Sequence, residues 1–202
     1  MIKYSLRCAD GHDFEPVVPE LGLPAGHGVR FIFPHAPSIP ITINGGAVMP
    51  AWYDILEMSL DRKVDNRQLL QSAAALQALI DREIDRGIAS QRIIIAGFSQ
   101  GGAVSYQGAL SYPQPLAGLL ALSTYFATAA TIELSPASKD LPIAVFHGSL
   151  DPMVPEALGH QATQILQSMG FTPSYTTYPI QHGVCPEEIV TIGDTISSWL
   201  AL

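Results

Sequence analysis

Hydrophobic and polar positions follow two regimes along this chain. Mainly apolar runs occur at Val29–Phe33, interrupted by Arg30, from Ile93, at Leu116–Leu122 and at Leu141–Gly148, where His147 is the polar exception. Runs this short, rich in β-branched residues and bounded by glycine or proline, predict strands buried on both faces. Between them the period changes. Leu69, Leu70, Ala73, Leu76, Ile80 and Ile84 recur at helical spacing and predict an amphipathic helix over 64–87, which Gly87 can end. Further helices are predicted from the serine at 99 to Tyr112, over Pro155–Met169 and over Pro186–Leu200, with a short strand near Tyr175. Residues 34–50 read as a long loop punctuated by prolines. Strands alternating with helices argue for an α/β fold, a mostly parallel sheet with helices on both faces, in one domain over 1–202. The chain shows no internal repeat, charge run or low-complexity tract.

The run from Ile93 ends in Gly97-Phe98-Ser99-Gln100-Gly101 and passes directly into the small residues Gly102-Ala103. A Gly-x-Ser-x-Gly between a strand and a helix is the sequence of a nucleophile elbow, where a sharp strained turn lifts a serine hydroxyl clear of the sheet. The glycines let strand and helix approach closely. The amide after the serine, that of Gln100, is placed to donate to a developing oxyanion.

A serine needs a base and a group to orient that base. Asp151 follows the strand ending at Gly148, in the loop 149–155, and His182 follows the strand near Tyr175. Ligand-handling residues of open α/β sheets collect on loops at the carboxyl ends of strands, and the order Ser99, Asp151, His182 is that of α/β-hydrolases. Each has a plainer use: Asp151, before a proline, suits an Asx turn or helix cap, and His182 suits an exposed loop. His147 is a rival base, but it ends a buried strand, where a structural hydrogen bond fits better. His12, His27, His35 and His160 show no partner pattern, and Asp54, Asp61, Asp140 and Asp194 read as solvated charges or caps.

The blocks Gly97–Ala103, His147–Val154 and His182–Ile189, with the loop Thr42–Asp54, resemble the small bacterial carboxylesterases grouped with acyl-protein thioesterases and lysophospholipases. The likeness runs from about Ala9 to the carboxyl terminus. It implies Ser99 as nucleophile, Asp151 as acid, His182 as base and the Gln100 amide as one oxyanion donor. It also implies Met49, Trp52 and Val154 as acyl-pocket residues, with Trp52 on a loop that covers the acyl site. The amino terminus departs from that pattern. Ser5-Leu6-Arg7-Cys8 stands where a His-Gly-Leu-Gly turn is expected, so Arg7 falls at the position of the second oxyanion donor. Four residues ahead of Ser5 are too few for the family's opening strands. Divergence and a truncated start both account for this, and missing strands would expose a sheet edge that invites a homodimer.

Composition narrows the partners. Net charge is −8 and 48% of residues are hydrophobic, which disfavours nucleic acid and anionic membrane and suits a core of ordinary size. Two cysteines, Cys8 and Cys185, make no disulfide framework, and no stretch reads as a signal peptide or membrane span, so a cytoplasmic location is expected. Serine at 99 excludes an Asp- or Cys-nucleophile hydrolase. The expected function is hydrolysis of short-chain carboxylic esters through an acyl-enzyme, on a small-molecule ester or thioester, with no cofactor or metal. The alternatives are an acyl-protein thioesterase or lysophospholipase using the same three residues, or a weakened acyl-binding homologue.

Overall fold

The computed structural model describes residues 2–6, 14–59 and 62–202. Its centre is a six-stranded sheet of β1 (Ile2–Leu6), β2 (Arg30–Ile32), β7 (Ile93–Phe98), β8 (Gly118–Leu122), β9 (Ile143–Gly148) and β10 (Ser174–Tyr178), in the order β10-β9-β8-β7-β1-β2. Every neighbouring pair in it is parallel. Helices α1 (Asn66–Asp85), α2 (Gln100–Leu110), α3 (Glu156–Ser168) and α4 (Pro186–Leu200) connect or follow these strands. Two antiparallel hairpins, β3–β4 (Ser38–Ile41 with Ala47–Pro50) and β5–β6 (Ile55–Glu57 with Lys63–Val64), lie between β2 and α1 in the chain.

The apolar runs do not alternate with polar residues because both sheet faces are covered. On β7, Ile93 and Ile95 enter one core with Leu69, Leu76 and Ile80 of α1 and Tyr106 and Leu110 of α2. Ile94, Ala96 and Phe98 enter the opposite core with Phe14, Leu21 and α4 residues Ile189, Ile192 and Ile196. Successive strand residues point to opposite faces, so a strand with a core on each side has no polar alternation to show.

Helix α1 starts where Asp65 caps it, its Oδ1 accepting from the Gln68 amide at 2.9 Å, and Gly87 follows its end at φ 91°. Leu70, counted in its apolar stripe, faces solvent at 49% exposure, about 100° around the helix from the buried Leu69. The sheet edge at β2 is three residues long and is tied to α1 by Arg30, which pairs with the buried Glu83 at 3.6 Å. So short an edge offers little for a second chain to pair with.

Two expectations need correction. Residues 34–50 are not one loop: they hold the β3–β4 hairpin, with Pro40 and Pro50 inside its strands. An isolated two-stranded hairpin has free outer edges, where a missing amide costs nothing. The amino terminus also has room for a strand. Residues 2–6 form β1, paired on one side with β2 and on the other with β7, Leu6 opposite Gly97. Among the described residues, no helix is long and apolar enough to cross a membrane.

One buried charge carries a prediction. Glu188, in the first turn of α4, is fully buried, and neither carboxylate oxygen has a hydrogen-bond partner among the described residues. Burial pushes its carboxyl up to about 7, against 4.5 ordinarily, although the nearby Cys185 amide pulls the other way. Between those values the folded state holds the extra proton. Its stability is therefore full below pH 4.5 and is lost as pH rises through 7, by roughly 3 kcal/mol. Glu188→Gln should melt several degrees above the wild type at pH 8 and alongside it at pH 5, and a gap independent of pH would refute the assignment.

Candidate active site

Ser99 sits between β7 and α2 with φ 54° and ψ −124°, a backbone conformation that a side chain strongly disfavours. Its surroundings hold it there. The Ser99 amide donates to the Leu122 carbonyl at 3.0 Å, and the Ser99 carbonyl accepts from Thr124 Oγ1 at 2.6 Å and from the Gly102 amide at 3.0 Å. Tight packing fixes the turn from both sides. A Cβ on Gly97 would lie 2.3 Å from the Gly101 carbonyl oxygen, and one on Gly102 would lie 2.5 Å from the Thr124 side chain. The amide of Gln100, in the first turn of α2, has no acceptor within the helix.

Asp151 and His182 meet. Nδ1 of His182 lies 2.6 Å from Oδ2 of Asp151, and the aspartate side chain is wholly buried. The other carboxylate oxygen, Oδ1, accepts from the amides of Met153 and Val154, both at 2.8 Å. The Asx turn and the histidine partner are thus both real, one on each oxygen. Held by Asp151 at Nδ1, the imidazole presents Nε2 as an acceptor. It rests on the ring of Phe98, with centroids 4.6 Å apart, beside the residue that precedes Ser99.

His147 is not placed as a base. It is fully buried at the end of β9, and its Nε2 lies 2.8 Å from the Val154 carbonyl. Burial holds its pKa below the ordinary histidine range, so it stays neutral and donates through Nε2–H. The bond fastens the loop carrying Asp151 to the sheet.

Ser99, Gln100 and His182 line one cleft that is open to solvent. Its walls are Ile41, Ile43, Met49, Ile55 and Met58 from the two hairpins, and Met153 and Val154 from the loop after β9. Met49 and Val154 thus line the cleft that Ser99 lines. Trp52 does not. It is buried in the core, and its exposed edge lines a separate groove with Gln68 and Ala75 of α1. Its backbone is pinned inward, the amide donating to Gln100 Oε1 at 3.1 Å and the carbonyl accepting from Ser72 Oγ at 2.5 Å. Gln100 Nε2 also donates to the Tyr53 carbonyl at 2.9 Å, so the side chain beside Ser99 clamps the segment behind the β3–β4 hairpin. Asp54 closes that loop by accepting from the Thr42 amide and hydroxyl at 2.7 and 2.5 Å. Arg7, named for the second oxyanion donor, lies outside the described residues, as do Cys8 and His12. Sequence reasoning missed Arg62, which enters the cleft from the β5–β6 hairpin and belongs to no motif.

A parallel sheet with a strained serine between strand and helix, and an acid and a histidine on later loops, defines the α/β-hydrolase fold. The chain belongs to the Phospholipase/Carboxylesterase family, whose sequence profile matches residues 25–200, and it is a hydrolase. It is 43% identical over 182 residues to acyl-protein thioesterase 1 of Neurospora crassa, covering 85% of this chain and 74% of that protein. It is 38% identical over 171 residues to acyl-protein thioesterase 1 of Gibberella zeae, covering 80% and 73%. Among solved structures, Arabidopsis thaliana SOBER1 superposes with a TM-score of 0.92 at 28% identity over 99% of both chains. Acyl-protein thioesterase 2 of Zea mays superposes with a TM-score of 0.87 at 26% identity, covering 98% and 93%. These relatives are fungal and plant proteins and do not support the bacterial branch that the motifs suggested.

Two substitutions test the packing around Ser99. Gly97→Ala places a Cβ against backbone that cannot yield, so it should cost about 3 kcal/mol or more, read as a lower urea midpoint at unchanged slope. Trp52→Ala removes a core side chain, which typically costs about 3–5 kcal/mol. It should lower the melting temperature and change KM by a similar factor for acetate and octanoate esters. A KM effect confined to the longer chain would return Trp52 to the acyl site.

Proposed function

We propose that the chain hydrolyses carboxylic esters or thioesters through an acyl-enzyme formed on Ser99. The observation that carries this reading is the 2.6 Å contact between Asp151 Oδ2 and His182 Nδ1 in the cleft that Ser99 also lines. In the reaction His182 Nε2 takes the Ser99 proton as the hydroxyl attacks the acyl carbonyl. Asp151 keeps the proton on Nδ1 and stabilises the imidazolium, and the Gln100 amide donates to the oxyanion. The imidazolium then protonates the leaving alcohol or thiol. Water, deprotonated by the same histidine, releases the acid. The acyl chain lies against Ile41, Met49, Ile55 and Val154.

The names of the fungal relatives favour a thioester among these substrates. The preference for short-chain carboxylic esters drew on Trp52 and loses that support, because Trp52 is buried away from the cleft. A lysophospholipid uses the same machinery. All the chemistry runs on side chains and one backbone amide.

Turnover of 4-nitrophenyl butyrate and of a palmitoyl-cysteine peptide by purified variants tests the reading. Ser99→Ala should abolish both activities while its melting curve stays within a few degrees of wild type. His182→Ala should cost on the order of 10⁶ in kcat, the scale seen when a triad loses its base, and Asp151→Asn less than either. Undiminished turnover by Ser99→Ala would end the proposal.

A further inference from the structure

The cleft holding Ser99 and His182 is lined mainly by apolar side chains, and Arg62 is the one permanently charged group on its described walls. Arg62 also lines an adjoining groove with Tyr125, Phe126 and Leu158, so the guanidinium stands where the two spaces meet. It is held in place rather than free in solvent. Its Cζ lies 4.7 Å from the centroid of the Tyr125 ring, and Nη2 donates to the Met153 carbonyl at 2.6 Å. The Tyr125 hydroxyl is itself bonded to that of Tyr53 at 2.7 Å.

Among the described residues this cation has no counter-charge. Arg30, Lys63, Arg67 and Arg86 each pair with a described carboxylate; Arg62, like Arg82, Arg92 and Lys139, pairs with none among the described residues, but of these it alone lines the cleft with Ser99. Its Nε is buried without an acceptor among the described residues. A guanidinium partly withdrawn from water, with an unmet donor and no anion among the described residues, sits at an electrostatic cost that an incoming anion relieves. Its fork matches carboxylate and phosphate, and its fixed position means little side-chain freedom is lost on binding. The chain's net charge of −8 repels anions at long range, but salt screens that field beyond about 8 Å. Inside the cleft the local cation decides.

We propose that Arg62 binds a carboxylate or phosphate group of the substrate, so that the preferred substrates are esters or thioesters with a negative charge near the scissile carbonyl. The proposal rests on this cleft being the catalytic one. It makes Arg62 a specificity-determining residue as well as a strut between the β5–β6 hairpin and the Asp151 loop.

Three aryl acetates of similar shape test it: 4-acetoxybenzamide, which is neutral, 4-acetoxybenzoate and 4-acetoxyphenyl phosphate. The wild type should favour at least one anion over the amide by tenfold or more in kcat/KM, and the two anions tell carboxylate from phosphate recognition. Arg62→Gln keeps a donor for the Met153 carbonyl but removes the charge, and should erase the preference. Arg62→Lys keeps the charge without the fork and should fall between. A wild type indifferent to charge would overturn the proposal, with no variant needed. So would an Arg62→Gln enzyme slowed equally on all three, which marks a strut only. Calorimetry of phenyl phosphate and benzoate binding to Ser99→Ala protein separates the two readings. Saturable binding that weakens with salt and drops at least tenfold on adding Arg62→Gln supports the anion site even if no ester is turned over, and absence of that drop counts against it.

Discussion

The backbone of Ser99 is the constraint on which the rest of the site depends. A residue with a side chain at φ 54° and ψ −124° does not stay there unaided, and the surroundings are built to keep it. Two hydrogen bonds from outside the turn, to Leu122 and from Thr124, tie it to β8 and the residues that follow. Two glycines, Gly97 and Gly102, let backbone and side chains pack where a methyl group has no room. The strain puts the serine hydroxyl at the end of the sheet, with the amide of Gln100 beside it. Strain of this kind, typically about 1–3 kcal/mol, persists only where the structure over-determines it.

The other two groups are brought to that point by the parallel sheet. Each strand runs the same way, so the loops after β7 and β9 and the one following β10 emerge at one end. Residues 99, 151 and 182 gather there although far apart in sequence. Their loops are secured by separate devices. His147 holds the Val154 carbonyl, the Val154 amide holds Asp151, and Asp151 holds His182. This chain of bonds connects a buried strand end to the imidazole. On the opposite side, the Gln100 side chain clamps residues 52 and 53, which anchors the cleft wall to the helix that follows Ser99.

The central strands were legible because burial on both faces leaves an unbroken apolar run, as at Ile93–Phe98. The Ser99 turn was legible because its glycines have few other uses in that context. Asp151 and His182 followed from loop position after strands. The hairpins were not legible: Ala47–Pro50 is exposed throughout, and in Ser38–Ile41 the alternation lasts only four residues and includes a proline. Trp52 was misplaced because an aromatic in a loop says nothing about which way its backbone hydrogen bonds will turn it. Arg62 carries no local signal, and its bond to Met153 spans 91 residues. Such contacts belong to the topology.

The proposed function requires that the Asp151–His182 pair activate Ser99. Mass spectrometry after a fluorophosphonate probe tests it most directly, with intact protein and peptide maps taken from wild type and His182→Ala under the same conditions. The account predicts one probe adduct per chain in the wild type, carried by Ser99 alone, and no adduct in His182→Ala over the same time. An unmodified Ser99 in folded wild-type protein, or equal labelling of the two proteins, would contradict it.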